Sequence, residues 1–155
     1  MGSERLPGKT LAPILEKPLL QHVIERVAAS TLIDSVILAT TDKAEDDPVA
    51  DLAQKLRVRC FRGSENDVLD RTYQAAQKFN VEHIVRVNGD CPLIDPKVID
   101  RIVEVYLSGK YDYVTNILTY PDGQDVEAFA QQALEHAWKE AHAASDREHV
   151  TAYIR

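Results

Sequence analysis

Three short apolar runs, each closing on a polar turn and giving way to a helix-period segment, set the architecture open to this chain. Ser35-Val36-Ile37-Leu38-Ala39 ends at Thr40-Thr41-Asp42, Val58-Arg59-Cys60-Phe61 at Arg62-Gly63-Ser64, and His83-Ile84-Val85-Arg86-Val87 at Asn88-Gly89-Asp90. Such runs, rich in β-branched residues and bounded by turn formers, read as buried strands. Asp47-Pro48 and Asp95-Pro96 each set an N-cap carboxylate before proline at the first helical position. The first helix is expected to run towards Leu56, and the second gathers Val98, Ile99, Ile102, Val103 and Tyr106 on one face. Ser64 is expected to cap a helix reaching about Phe79, and residues 18–29 place Leu19, Leu20, Val23, Ile24 and Val27 on a single helical face. Residues 111–115 and 126–130 read as two more strands around the turn-forming Tyr120-Pro121-Asp122-Gly123. A helix through Trp138 follows, and Ser145-Asp146-Arg147-Glu148 has the spacing of a capping box, so the chain is expected to end inside one more helix. Strands alternating with helices predict an α/β fold with a mostly parallel sheet flanked by helices.

With 155 residues and 45% hydrophobic content, the chain suits one domain with a core. A net charge of −7 argues against generic binding to nucleic acid or anionic lipid, so an anionic substrate needs a local basic pocket. No apolar run approaches the roughly 18 residues of a membrane span. Cys60 and Cys91 are far apart and form no CxxC pair. A reduced, cytoplasmic protein with neither nucleic-acid nor membrane partners is the expectation.

The basic pocket has a candidate at the start of the chain. Gly2-Ser3-Glu4-Arg5-Leu6-Pro7-Gly8-Lys9 is a glycine-containing loop with two cations four residues apart, able to cradle a polyphosphate through backbone N–H groups and charge. Gly8-Lys9-Thr10 is not a P-loop, because that motif needs glycine at position 3, which is serine. A solvated tail is the alternative. At Asn88-Gly89-Asp90 an aspartate at the carboxyl end of a strand faces the crevice where open α/β sheets bind ligands, and it suits Mg²⁺. The alternative for Asp90 is a turn aspartate bonding its own backbone. Arg62 and Ser64 sit at another strand end and can meet a nucleotide, whereas Asp67, Asp70 and Arg71 read as first-turn charges of a helix. His22, His83, His136 and His142 are scattered, and no nucleophile–base arrangement suggests covalent catalysis.

Taken in order, these segments resemble one family. Gly-Ser-x-Arg-Leu-Pro-Gly-Lys at 2–9, Lys17-Pro18-Leu19-Leu20, Thr40-Thr41-Asp42, Phe61-Arg62-Gly63-Ser64 and Asp67-Val68-Leu69-Asp70-Arg71 come first. Gly89-Asp90-Cys91-Pro92-Leu93-Ile94-Asp95, Tyr120-Pro121-Asp122-Gly123 and Arg147-Glu148-His149-Val150-Thr151 follow. The succession is similar to the cytidylyltransferase-like sugar nucleotidyltransferases, which include the CMP-N-acylneuraminate and CMP-octulosonate synthetases, and within them to the spore-coat polysaccharide branch.

The resemblance implies a Rossmann-like nucleotidyltransferase fold and transfer of CMP from CTP to a sugar acid or related sugar, with release of pyrophosphate, in surface polysaccharide biosynthesis. It implies Arg5 and Lys9 on the triphosphate and Asp90 as the Mg²⁺ ligand, these three being the catalytic set. It places Gly2, Ser3, Arg62, Ser64, Asn88 and Gly89 around the nucleotide, and Tyr120, Asp122, Asp125 and Glu127 near the sugar. A homodimer is implied on the same ground. The family pattern sets a buried strand ending in Ala-Arg just ahead of Met-Gly-Ser and continues past residue 155, where its second acidic metal ligand lies. Residues 1–155 are therefore expected to be a single, incomplete nucleotidyltransferase domain lacking the first strand. A binding module of the same fold, without catalysis, is the alternative function.

Overall fold

The computed structural model describes residues 6–155. After a 3₁₀ turn at Lys9–Leu11 (a second, Ala44–Asp46, precedes the second helix), a two-residue hairpin pairs β1 (Pro13–Ile14) with β2 (Lys17–Pro18). Its turn residues Leu15 and Glu16 both take positive φ, 47° and 70°, the sense that matches strand twist in two-residue loops. The remaining elements alternate: α1 (Leu19–Ala28), β3 (Ile37–Thr41), α2 (Asp47–Lys55), β4 (Arg59–Gly63), α3 (Val68–Lys78), β5 (His83–Val87) and α4 (Pro96–Leu107). They are followed by β6 (Tyr113–Thr115), β7 (Val126–Ala130), α5 (Gln131–Glu140) and α6 (Ala144–Glu148). The predicted α/β alternation is present, with most boundaries displaced by one or two residues and the 13–18 hairpin added.

β3 and β4 pair in parallel, from Ile37 opposite Arg59 to Thr41 opposite Gly63. β7 lies between β5 and β6 and runs antiparallel to both, so β5 and β6 share one direction. Alternation of strand and helix reports crossovers and carries no signal for a strand that turns back into the sheet, as β7 does. Phe129 of β7 faces one apolar cluster with Leu69, Ala76, Leu134 and Val150, while Val126 and Ala128 face another with Ile94, Ile99 and Val103. That split follows from the two-residue period of a strand buried on both faces. A third cluster joins Leu20 and Ile24 of α1 to Val49 and Leu52 of α2 beneath Leu38. The α1–β3 connection is tied to α4 by Asp100, which accepts from Ser30 Oγ, Thr31 N and Leu32 N.

Three expected caps differ. Asp46, not Asp47, precedes α2, and its side chain turns back to accept from Thr40 Oγ1, Thr41 Oγ1 and Thr41 N at 2.7, 2.8 and 3.1 Å. Burial opposes ionisation of Asp46, yet its carboxyl stays well below the usual range, with those donors contributing. α3 is capped by Asp67, which accepts from Asp70 N at 2.8 Å, rather than by Ser64. Ser145 lies inside α6, whose N-cap is Ala143, so no capping box forms, and the last residues leave the helix as turns. Asp95 caps α4 as expected, accepting from Lys97 N at 2.9 Å.

Phe129 is fully buried, whereas Leu118 is 98% exposed. Phe129→Ala is expected to lower the unfolding free energy by about 3–5 kcal/mol in urea titration. Leu118→Ala should change it by less than about 0.5 kcal/mol.

Candidate functional site

Gly8 adopts a left-handed conformation (φ 71°) and turns the chain so that Lys9 opens the 3₁₀ turn. Lys9 Nζ then donates to Asp90 Oδ2, just past the carboxyl end of β5. Two residues separated by 81 positions, each singled out by the sequence, thus meet as a partly exposed ion pair. The Lys9 ammonium holds the Asp90 carboxyl below the usual carboxylate range. Cys91 N donates to Asn88 O at 3.3 Å, closing the turn that presents Gly89 and Asp90. At Gly89 an added Cβ would meet only Leu20 Cδ1, at 3.4 Å, an ordinary contact. Gly2, Ser3 and Arg5, the other expected members of the opening loop, lie outside the described residues.

Arg62 lies at the end of β4 beside the end of β3, as its position predicts. Its Nε donates to Thr41 O at 2.9 Å, Nη2 to Lys43 O at 2.7 Å, and Nη1 pairs with Asp47 at 2.7 Å. Those bonds shape the 41–47 turn. Ser64 Oγ accepts from Asp67 N at 3.1 Å, closing a tight turn between β4 and α3.

The 116–125 loop is brought to the Asp90 segment by Gln124, a residue to which the sequence assigns no role. Its Oε1 accepts from Asp95 N at 2.9 Å and its Nε2 donates to Leu93 O at 2.6 Å, so one amide closes on two backbone groups. Buried Asn116 supports the same loop, donating to Gln124 O at 2.7 Å and accepting from Val126 N at 2.8 Å. Tyr120 and Asp122 remain exposed on that loop, and Asp125 is partly buried. Burial, then the charges of Asp90 and Asp125, push the neighbouring Cys91 thiol up to about 11. No sequence period marks Gln124 or Asn116, because both act in an irregular loop.

Glu127 departs from its expected place near the sugar. It is 2% exposed and faces the interior. Its Oε1 accepts from Thr151 Oγ1 at 2.5 Å, Tyr113 OH at 2.7 Å and Arg155 Nη2 at 2.8 Å, while Oε2 accepts from Arg86 Nη1 at 2.5 Å. A strand residue paired directly opposite Arg86 turns to the same face as that arginine, which here lies under α3 and α5.

A concavity of about 320 Å³ lies at the amino-terminal ends of β3 and β4, lined by Ile33, Val36, Arg57 and Arg59. Lys9 and Asp90 lie past the carboxyl end of β5, and the β4–α3 turn past that of β4, the strand ends at which open α/β sheets take ligands.

A family model described as Cytidylyltransferase matches residues 1–155. The chain is 36% identical over 160 aligned positions to the spore coat polysaccharide biosynthesis protein SpsF of Bacillus subtilis, covering 100% of this chain and 66% of that protein. It is 43% identical over 104 residues to the 3-deoxy-manno-octulosonate cytidylyltransferase of Solibacter usitatus, covering 66% of this chain and 40% of that one. The solved structure of a cytidylyltransferase from Leptospira borgpetersenii superposes with a TM-score of 0.94 at 37% identity, over 99% of this chain and 66% of its own. The chain spans about two thirds of the length of the curated relatives that it matches from end to end.

Burial opposes ionisation of Glu127, but bonds from Thr151, Arg155 and Tyr113 and the Arg86 charge bring its pKa down to about 2. A depressed carboxylate contributes stability that is complete above its unfolded pKa, near 4.3, and lost as pH falls through the folded value. Wild-type unfolding free energy is therefore expected to fall between about pH 5 and pH 2 by on the order of 3 kcal/mol through this group. Glu127→Gln should flatten that part of the pH profile in chemical denaturation.

Proposed function

Because the chain belongs to the cytidylyltransferase family, we propose that it transfers CMP from CTP to a hydroxyl group of a sugar acid or related sugar and releases pyrophosphate. The observation that carries this reading is the meeting of Lys9 with Asp90 beyond the end of β5, a cation and a carboxylate paired at a strand end. The acceptor oxygen bonds to the α-phosphorus, and the bond from that phosphorus to its bridging oxygen breaks. The bonding electrons leave with pyrophosphate, and the hydroxyl proton passes to solvent. Such a transfer depends on positioning and on charge set against the departing oxygens, so no nucleophilic side chain is required. Lys9 supplies one such charge, and Arg5 matches the second in the family motif.

Mg²⁺ suits the donor set. It is bound through one or two carboxylates, with water and substrate phosphate completing its octahedron. Among the described residues no group of three histidine, cysteine or acidic side chains gathers into a cage, and Asp90 is the carboxylate paired with Lys9. Asp90 would hold the ion, which when bound supplies charge neutralisation to the triphosphate. Lys9 now engages the carboxylate that would hold it; with the metal nucleotide bound, Asp90 would face the cation and Lys9 the phosphate.

Arg62 keeps the strand-end turn in shape, while Ser64, Asn88 and Gly89 line the nucleotide. Tyr120, Asp122 and Asp125, drawn in by Gln124, face the sugar. The likeness to a spore coat polysaccharide protein supports a role in surface polysaccharide synthesis. We place that work in the cytoplasm and assign it to a homodimer. No helix among the described residues is long and apolar enough to cross a membrane.

Calorimetry with CTP and Mg²⁺, beside a pyrophosphate-release assay over a panel of sugar acids, tests the reading. CTP should bind, and pyrophosphate should appear only with an acceptor. Lys9→Ala should weaken CTP binding by about tenfold or more, the scale of one charge-assisted bond. Asp90→Asn should remove the Mg²⁺ dependence of binding. Binding without release would favour the non-catalytic module, and no CTP binding by the wild type would overturn both.

A further inference from the structure

Two sequence segments without a role in the transfer meet behind the β4–α3 turn. Asp67, while capping α3, also receives Arg147 on Oδ2, from Nε at 2.9 Å and Nη2 at 2.5 Å. Arg147 Nη1 donates to Trp138 O at 2.8 Å. Trp138 Nε1 in turn donates to Asp70 Oδ1 at 2.8 Å, and its ring stacks on Tyr73 with centroids 4.4 Å apart. α6 and the end of α5 are thereby fastened to the first turn of α3.

The same turn is held from its other side. Ser64 accepts through Oγ from Asp67 N, and through its carbonyl from Arg71 Nη1 at 2.6 Å. Gly63 lies so close beneath that an added Cβ would sit 2.9 Å from Phe61 Cε1 and 3.2 Å from Arg71 Cγ. Arg147 is no free surface charge. Its side chain is only 22% exposed, and the residues that follow, Val150 and Thr151, are buried, with Thr151 bonded to Glu127. An arginine fixed at both ends and sharing one carboxylate oxygen through two donors sets position as well as charge.

We propose that Arg147 and Asp67 are positioning residues for nucleotide binding: their pair holds the Gly63–Asp67 turn in the shape that receives CTP. The last segment of the chain thus sets nucleotide affinity without touching the nucleotide. The inference rests on the CTP reading above.

The test uses the whole protein and three variants, Arg147→Ala, Arg147→Lys and Asp67→Asn. Asparagine retains the cap and removes the ion pair. Trp138 is the single tryptophan of the chain, so its emission reports the junction directly. Arg147→Ala is expected to keep wild-type far-UV circular dichroism, shift Trp138 emission, and raise the Kd and KM for CTP about tenfold. Its kcat and its KM for the acceptor sugar should stay within about threefold of wild type. Arg147→Lys should recover part of the CTP affinity, and Asp67→Asn should reproduce the loss with the helix intact. If Arg147→Ala does not fold, Asp67→Asn carries the same readouts. A folded variant with shifted Trp138 emission and unchanged CTP affinity overturns the positioning role, as does an equal loss in kcat and both KM values. Absence of CTP binding by the wild type overturns the nucleotide reading itself and this inference with it, so the two failures are told apart by the wild-type titration.

Discussion

A carboxylate with almost no access to water is stable only when donors surround it, and Glu127 has four, from three stretches of the chain. Arg86 comes from β5, Tyr113 from β6, and Thr151 and Arg155 from the C-terminal turns. Removing one partner of such a group leaves charge uncompensated in a low-dielectric interior, which makes the cluster all-or-none. Through it β7 is held between β5 and β6, and the segment carrying Arg147 is pinned against the sheet. The order of the crevice rests on that anchorage, because both loops that flank Asp90 depart from strands so fixed.

At the crevice the electrostatic logic is local. The chain carries a net charge of −7, yet Lys9 is placed against Asp90, and Arg62 and Arg71 lie at or behind the β4–α3 turn. An overall negative protein can therefore place positive charge at the carboxyl ends of its strands. The arginines are occupied with backbone carbonyls. Their task is to fix loops, whereas Lys9 pairs with a carboxylate that is itself partly exposed.

Much of the fold is legible in the sequence. β5 begins and ends where the apolar run 83–87 does, and Asp95-Pro96 opens α4 as its residues require. Local chemistry fails where side chains find better partners at a distance. Asp46 leaves the helix it precedes because two threonine hydroxyls at the end of β3 are within reach. Asp67 takes the cap expected of Ser64 because Arg147, 80 residues later, fixes it there. In the crevice, Lys9 and Asp90 are both visible as residue types, but Gln124 and Asn116 are not, since an amide bonding two backbone groups in an irregular loop leaves no period to read.

By itself the sequence determined the alternation of strand and helix, the turn-forming ends of the strands and the charged residue types set at those ends. Those properties follow from side-chain shape and spacing within a few residues, where covalent connection alone sets the geometry. Only the tertiary structure decided that β7 reverses direction, that Glu127 turns inward to hold the sheet, and that Lys9 lies on Asp90 with Arg147 behind the neighbouring turn. Each of these joins groups from 12 to 81 positions apart. Such pairings exist only once burial has removed water as the competing partner.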